Sequence, residues 1–164
     1  MKNRVYSVKT NTTVRANRQA VWALLAQFDD VYTWAPGVLK SHGIGQSKLG
    51  VGHGRHCELK GFGGIDETIT QWLPNEKLVY SVTDVGPLKN GSSRWELRQL
   101  NEQQTELAIS LSFELRFGVL GRLMFHLMMK RKLQASLDAT AAATKKRVES
   151  GMVVPVQGMM QPSS

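Results

Sequence analysis

Hydrophobic and polar positions change their period twice along this chain. From Val5 to Val14 they alternate, with Val8, Thr10, Thr12 and Val14 on one face, which predicts a strand. From Arg18 to about Phe28 the period becomes helical: Val21, Leu24, Leu25 and Phe28 make one apolar stripe, and Asn17 is placed to cap it. Pro36-Gly37 forbids further helix. Alternation then returns in six short segments, at about 38–46, 52–60, 65–73, 77–84, 92–100 and 105–115. Gly50, Gly61-Phe62-Gly63-Gly64, Pro74-Asn75, Lys89-Asn90-Gly91 and Asn101-Glu102 mark the breaks between them. Strands joined by such short connections predict an antiparallel meander. From about Val119 to Glu149 the helical period resumes. Leu120, Met124, Leu127, Arg131, Gln134, Leu137, Ala141 and Val148 lie near one stripe. A helix this long is covered in a small domain only if something wraps around it, and a curved antiparallel sheet does so.

Alternation also sorts residues into faces. On 52–60 the face shared by Cys57 and Leu59 is taken as inward, and it carries His53 and Arg55. On 65–73 the inward set is Ile65, Glu67, Ile69 and Gln71. On 77–84 it is Leu78, Tyr80 and Val82, on 92–100 Ser93, Trp95, Leu97 and Gln99, and on 105–115 Leu107, Ile109, Leu111, Phe113 and Leu115. Arg55 and Glu67 are the two charges that break this apolar pattern. A hairpin centred near residue 62 sets Arg55 opposite about residue 69, one diagonal step from Glu67, within reach of long side chains. Burying either charge alone costs several kcal/mol, so each predicts the other as its partner. Such a pair suits a structural tie, an orienting contact for a polar ligand head, or an acid/base group centred on Glu67, the best catalytic candidate in the chain; the residues leave all three open.

Composition narrows the class. The chain has 164 residues with 41% hydrophobic content, which suits one domain with a moderate core, here 1–150, followed by a flexible C-terminal tail at 151–164. The lone Cys57 allows no internal disulfide, in keeping with a reducing cytoplasm, and is expected to be an inert core thiol. The start has basic residues but no apolar stretch, so export by a signal peptide is not expected, and no apolar run is long enough to span a membrane. His53 and His56 point to opposite faces of one strand, and no metal spacing, phosphate-binding glycine fingerprint or nucleophilic serine elbow occurs. Neither a metal nor a cofactor is expected.

The net charge is +8, and much of the excess lies on the last helix: Arg122, Lys130, Arg131, Lys132, Lys145, Lys146 and Arg147 against Asp138 and Glu149. No aromatic stacking motif interleaves with these cations, so nucleic acid is not an expected partner. Leu120, Leu123, Met124, Phe125, Leu127, Met128 and Met129 crowd the start of that helix, more than one stripe can hold. Phe125 and Met129 are expected to lie away from the core stripe, where a homodimer partner or an anionic membrane would cover them.

The order of these features resembles one known family. The helix Ala20-Val21-Trp22-Ala23-Leu24-Leu25 runs into Asp29-Asp30 and Thr33-Trp34-Ala35-Pro36-Gly37-Val38. Then come the glycine turn, Ile65-Asp66-Glu67-Thr68-Ile69, and Trp72-Leu73-Pro74-Asn75-Glu76-Lys77-Leu78-Val79-Tyr80-Ser81-Val82. Over residues 5–149 this resembles the START-like (helix-grip) superfamily, and within it the polyketide cyclase/dehydrase-like ligand-binding proteins. The resemblance implies an α+β helix-grip fold: a curved seven-stranded antiparallel sheet around a long C-terminal helix, with two short helices after the first strand. Asp29 to Trp34 would be the second of these. It also implies a cup for a small hydrophobic or amphipathic molecule such as a lipid, polyketide or quinone-like compound, held between sheet and helix. Relatives include cyclases, so a polyketide cyclase/dehydratase activity and a membrane-docking lipid or quinone carrier are the alternatives. On this reading the cup is lined by Trp34, Arg55, Cys57, Glu67, Ile69, Tyr80, Trp95, Leu97, Ile109, Met124 and Met128. The methionine thioethers would supply an adaptable apolar wall.

Overall fold

The computed structural model describes residues 3–151. The tail expected at 151–164 lies outside the described residues from position 152 onward. Strand β1 (Val5–Val14) is followed by helix α1 (Arg18–Leu25) and a 3-10 turn (Phe28–Thr33). Then come β2 (Val38–Ile44), β3 (Gly54–Leu59), β4 (Gly63–Leu73), β5 (Lys77–Val82), β6 (Leu88–Asn101) and β7 (Gln104–Leu115). All seven pair antiparallel in the order β1-β7-β6-β5-β4-β3-β2. Six of them form the meander that the short turns predict. β1 pairs with β7, so α1 and the 3-10 turn must carry the chain from one sheet edge to the other.

Asn17 caps α1, its side chain accepting the amide of Ala20 at 2.9 Å. The helix ends at Leu25, three residues short of the expected end, and Phe28 opens the 3-10 turn instead. Val21, Trp22, Leu24 and Leu25 pack with Ile69, Leu78, Leu97, Leu107 and Ile109 into the main core. Trp22 meets Trp72 edge-on, centroids 4.9 Å apart. Trp72 reaches that place through an irregularity in β4 between Ile69 and Gln71. The same slip turns Gln71 outward, against the expectation that it faces in; a bulge breaks strict alternation.

The last helix runs as α2 (Gly118–Met124), a π segment (Phe125–Met129) and α3 (Lys130–Glu149), 32 residues in all. Its second half follows the expected stripe: Ala141 and Val148 are buried and Leu137 is half-buried, all in the main core. Its first half does not. Leu120, Met124 and Leu127 are exposed, whereas Phe125 is buried with Leu88 and Phe113, and Met129 packs against them. The expectation that Phe125 and Met129 lie away from the core is therefore corrected. The wider π turn offsets the drift that residues four apart show in an α-helix, so Leu133, Met129 and Phe125 continue one inward row. Gly121 extends it: a Cβ there would sit 1.8 Å from the carbonyl oxygen of Arg116, so only glycine allows this approach.

Candidate functional site

The β3–β4 hairpin builds the centre of the site. Gly61 and Gly63 both adopt left-handed backbone (φ +82° and +81°) and close a tight turn that pairs Leu59 with Gly63. The turn is centred one residue earlier than expected. Arg55 therefore faces Glu67 directly across the ladder, rather than residue 69.

Both charges are buried, at 5% and 6% exposure, and Arg55 Nε donates to Glu67 Oε2 at 2.5 Å. Arg55 Nη1 donates to the carbonyl oxygen of Phe28 at 2.7 Å. The guanidinium lies 3.8 Å from the Phe28 ring centroid and 5.1 Å from that of Tyr80. Burial works against the Arg55 charge, but the Glu67 carboxylate outweighs it and holds the guanidinium pKa above its ordinary value.

Around this pair the strands add polar groups in an apolar wall. Trp95 Nε1 lies 3.2 Å from the Tyr80 hydroxyl and 3.1 Å from Ser93 Oγ. Burial, with Glu67 nearby, pushes the Tyr80 phenol up. The same two causes push the Cys57 thiol up to about 11, so it stays protonated and unreactive at neutral pH. Trp34 meets Trp95 edge-on at 6.3 Å, and Trp34 Nε1 is buried without a hydrogen-bond partner among the described residues.

Between these strands, α1, the 3-10 turn and α3 lies a cavity of about 230 Å³. Of the residues expected to line it, Trp34, Arg55, Cys57, Glu67, Tyr80 and Trp95 do. Ile69, Leu97 and Ile109 do not; they share the inward face but are sealed in the main core. Met124 and Met128 do not either, because the π segment turns them to solvent. Phe28, Ser93, Leu133 and Leu137 line the cavity but were not expected there. Strand alternation already placed Ser93 inward, and the apolar stripes held Phe28 and Leu137. What the pattern lacked was the depth of each residue along its element.

A second network lies behind Phe28 and was not foreseen. His53 is 8% exposed; its Nε2 lies 2.7 Å from Asp29 Oδ1 and its Nδ1 2.8 Å from the carbonyl oxygen of Ser47. Its ring edge meets Phe28, centroids 6.1 Å apart. Burial lowers the imidazole pKa, yet Asp29 and the Ser47 carbonyl outweigh it, and the net shift is upward. His56 points the other way, outward, between Asp66 and Glu58. Among the described residues, no group of three or more His, Cys, Asp or Glu side chains converges as a metal site.

Residues 6–149 match the family described as polyketide cyclase / dehydrase and lipid transport. The chain belongs to this family. Its fold is shared by the Zhui aromatase/cyclase from Streptomyces sp. R1128 (TM-score 0.72, 18% identity, covering 92% of this chain and all of that one). A norcoclaurine synthase from Thalictrum flavum is similar to this family member at TM-score 0.72, 13% identity and 93% and 99% coverage. A START superfamily protein from Mycobacterium smegmatis follows at 0.71, 15%, 88% and 97%. At these identities the likeness is one of fold. No curated protein matches the sequence. Among the described residues, no helix of this polyketide cyclase-family chain is long and apolar enough to cross a membrane.

Proposed function

We propose that this protein binds a small amphipathic molecule in the cavity, with an apolar body against Trp34, Trp95 and Leu137 and a polar head toward Arg55, Glu67 and Tyr80. The observation that carries this reading is a buried ion pair in the wall of a mainly apolar hollow. Protein cores as a rule pack tightly, and a hollow of about 230 Å³ is a standing loss of dispersion contacts unless something fills it. It is smaller than the ~300–1,000 Å³ of drug-sized sites, which suits a small or slender occupant. A lipid, polyketide or quinone-like compound fits this description by class.

Binding is favoured over catalysis by one further contact. A cyclase or dehydratase reading would need Glu67 as its acid or base. Glu67 Oε2 is held by the Arg55 guanidinium, so that oxygen is turned to the ion pair rather than presented to a substrate.

Native mass spectrometry of the freshly purified full chain, followed by solvent extraction, tests the reading. A co-purifying molecule, or uptake of one of a panel of fatty acids, aromatic polyketides and quinones, is expected, and Leu137→Trp should abolish it by filling the hollow. Binding unchanged in Leu137→Trp would place the ligand elsewhere. Glu67→Gln that keeps binding but loses turnover of a bound polyketide would favour the enzyme.

A further inference from the structure

The start of the last helix is built with its apolar side outward. Phe117, Val119, Leu120, Leu123, Leu127 and Met128 are each between 53% and 74% exposed. The inward row of Gly121, Phe125 and Met129 takes the other side, so this exposure follows from how the segment docks. Immediately around the patch stand exposed cations, Arg122 within it and Lys130, Arg131 and Lys132 at its end. No Asp or Glu occurs between Leu115 and Leu137.

We infer that this face docks on the surface of an anionic lipid bilayer. An amphipathic helix lying in the interface buries leucine, methionine and aromatic side chains below the headgroups while cations at its margin meet lipid phosphates and carboxylates. A second copy of this chain is a poorer occupant. A two-fold contact through this face would bring the cations of one copy, Arg122 and Lys130–Lys132, beside those of the other, with no carboxylate on the segment to offset them.

The patch also lies close to the cavity. Phe125, directly beneath it, packs on Phe113 with centroids 5.2 Å apart, and Phe113 and Leu88 both line the cavity. Arg116, just before the patch, donates from Nε to the carbonyl oxygen of Gly86 at 2.7 Å and from its amide to that of Pro87 at 2.8 Å. That loop follows Thr83 and Val85, two more lining residues. A docked molecule would hold its cavity one side-chain layer from the bilayer, suited to exchanging an amphipathic cargo with it. The exchange rests on the cavity reading above; the docking does not, and its test uses no cargo.

The test is co-sedimentation of the full chain with phosphatidylcholine vesicles, with and without about a third phosphatidylserine, at low and high ionic strength. The wild type is expected to pellet with the anionic vesicles and to bind them at least about tenfold more weakly at high ionic strength. Leu123→Ser with Leu127→Ser, and separately Lys130→Glu with Lys132→Glu, should each weaken binding about tenfold or more while circular dichroism stays native. All four positions are exposed; should one pair fail to fold, the other carries the test. A wild type that stays in the supernatant, or variants that bind as it does, overturns the inference. So does a wild-type dimer in native mass spectra that the leucine pair dissolves with no change in vesicle binding, since the face would then join two copies.

Discussion

Arg55 and Glu67 stand directly opposite each other in the β3–β4 ladder and close their ion pair inside the cavity wall. Each charge is buried, and each depends on the other for its solvation. Arg55→Ala would leave the Glu67 carboxylate without this partner, whereas Lys60→Ala changes an exposed rim residue. Arg55→Ala is expected to destabilise by about 3–5 kcal/mol and Lys60→Ala by less than about 0.5. Urea denaturation of both variants checks this, and equal midpoints would refute the buried pair.

Phe125 and Leu127 lie two residues apart and face opposite ways. Phe125→Ala should cost about 3–5 kcal/mol, because it empties a ring packed on Phe113 and Tyr6. Leu127→Ala, at an exposed position, should stay within about 0.5. The reverse order of thermal midpoints would restore the helix phase that a plain 3.6-residue repeat predicts.

Cys57 should resist thiol reagents. With its pKa near 11 rather than the ordinary 9.0, its thiolate fraction at pH 8 is lower by about a hundredfold. Labelling rates of the native and urea-unfolded chain measure this; comparable rates would show an accessible, ionised thiol.

Glu149 ties the end of α3 to β1. It accepts from Arg15 Nε at 2.8 Å and from Lys145 Nζ at 2.9 Å. Burial opposes the charge, but these two cations outweigh it and hold the carboxyl at about 2, below its ordinary 4.5. A depressed folded pKa gives stability that is present above the unfolded value and lost as pH falls through the folded one. The stability difference between wild type and Glu149→Gln should therefore shrink between about pH 4.5 and pH 2. An acid-unfolding comparison in which the difference stays constant over that range would rule the clamp out.

His53 has the opposite sign. Its pKa is raised, so its contribution is fully present below the unfolded value near 6.5 and fades as pH rises through the folded one. Its ring resonances should titrate with a midpoint above 6.5, and Asp29→Asn should bring that midpoint down. A midpoint unmoved by Asp29→Asn would mean the pair does not form in solution.

How far the site was legible depends on which interaction placed each residue. Arg55, Cys57, Glu67, Tyr80 and Trp95 were readable as inward because a strand sends alternate side chains to opposite faces, and the β4 bulge comes only after Glu67. The exact partner of Arg55 was not, since one residue of difference in the turn moves the register by two. Met124 and Met128 were misplaced for a similar reason. A single π segment, stabilised by what Phe125 and Gly121 meet in β7 and its exit, rotates the face that simple periodicity assigns.

Period, turn residues and chain order thus determined the elements, their antiparallel pairing and the wrapped long helix, since these follow from local geometry and from the need to cover apolar faces. Only the tertiary structure decided which inward residues border empty space and which are sealed. Ile69, Leu97 and Ile109 share a face with Tyr80 and Trp95, but α1 lies over them and the cavity does not. It also decided that His53 would meet Asp29 and that the apolar start of the last helix would face outward. These outcomes depend on contacts between segments far apart in sequence, whose distances no local pattern encodes.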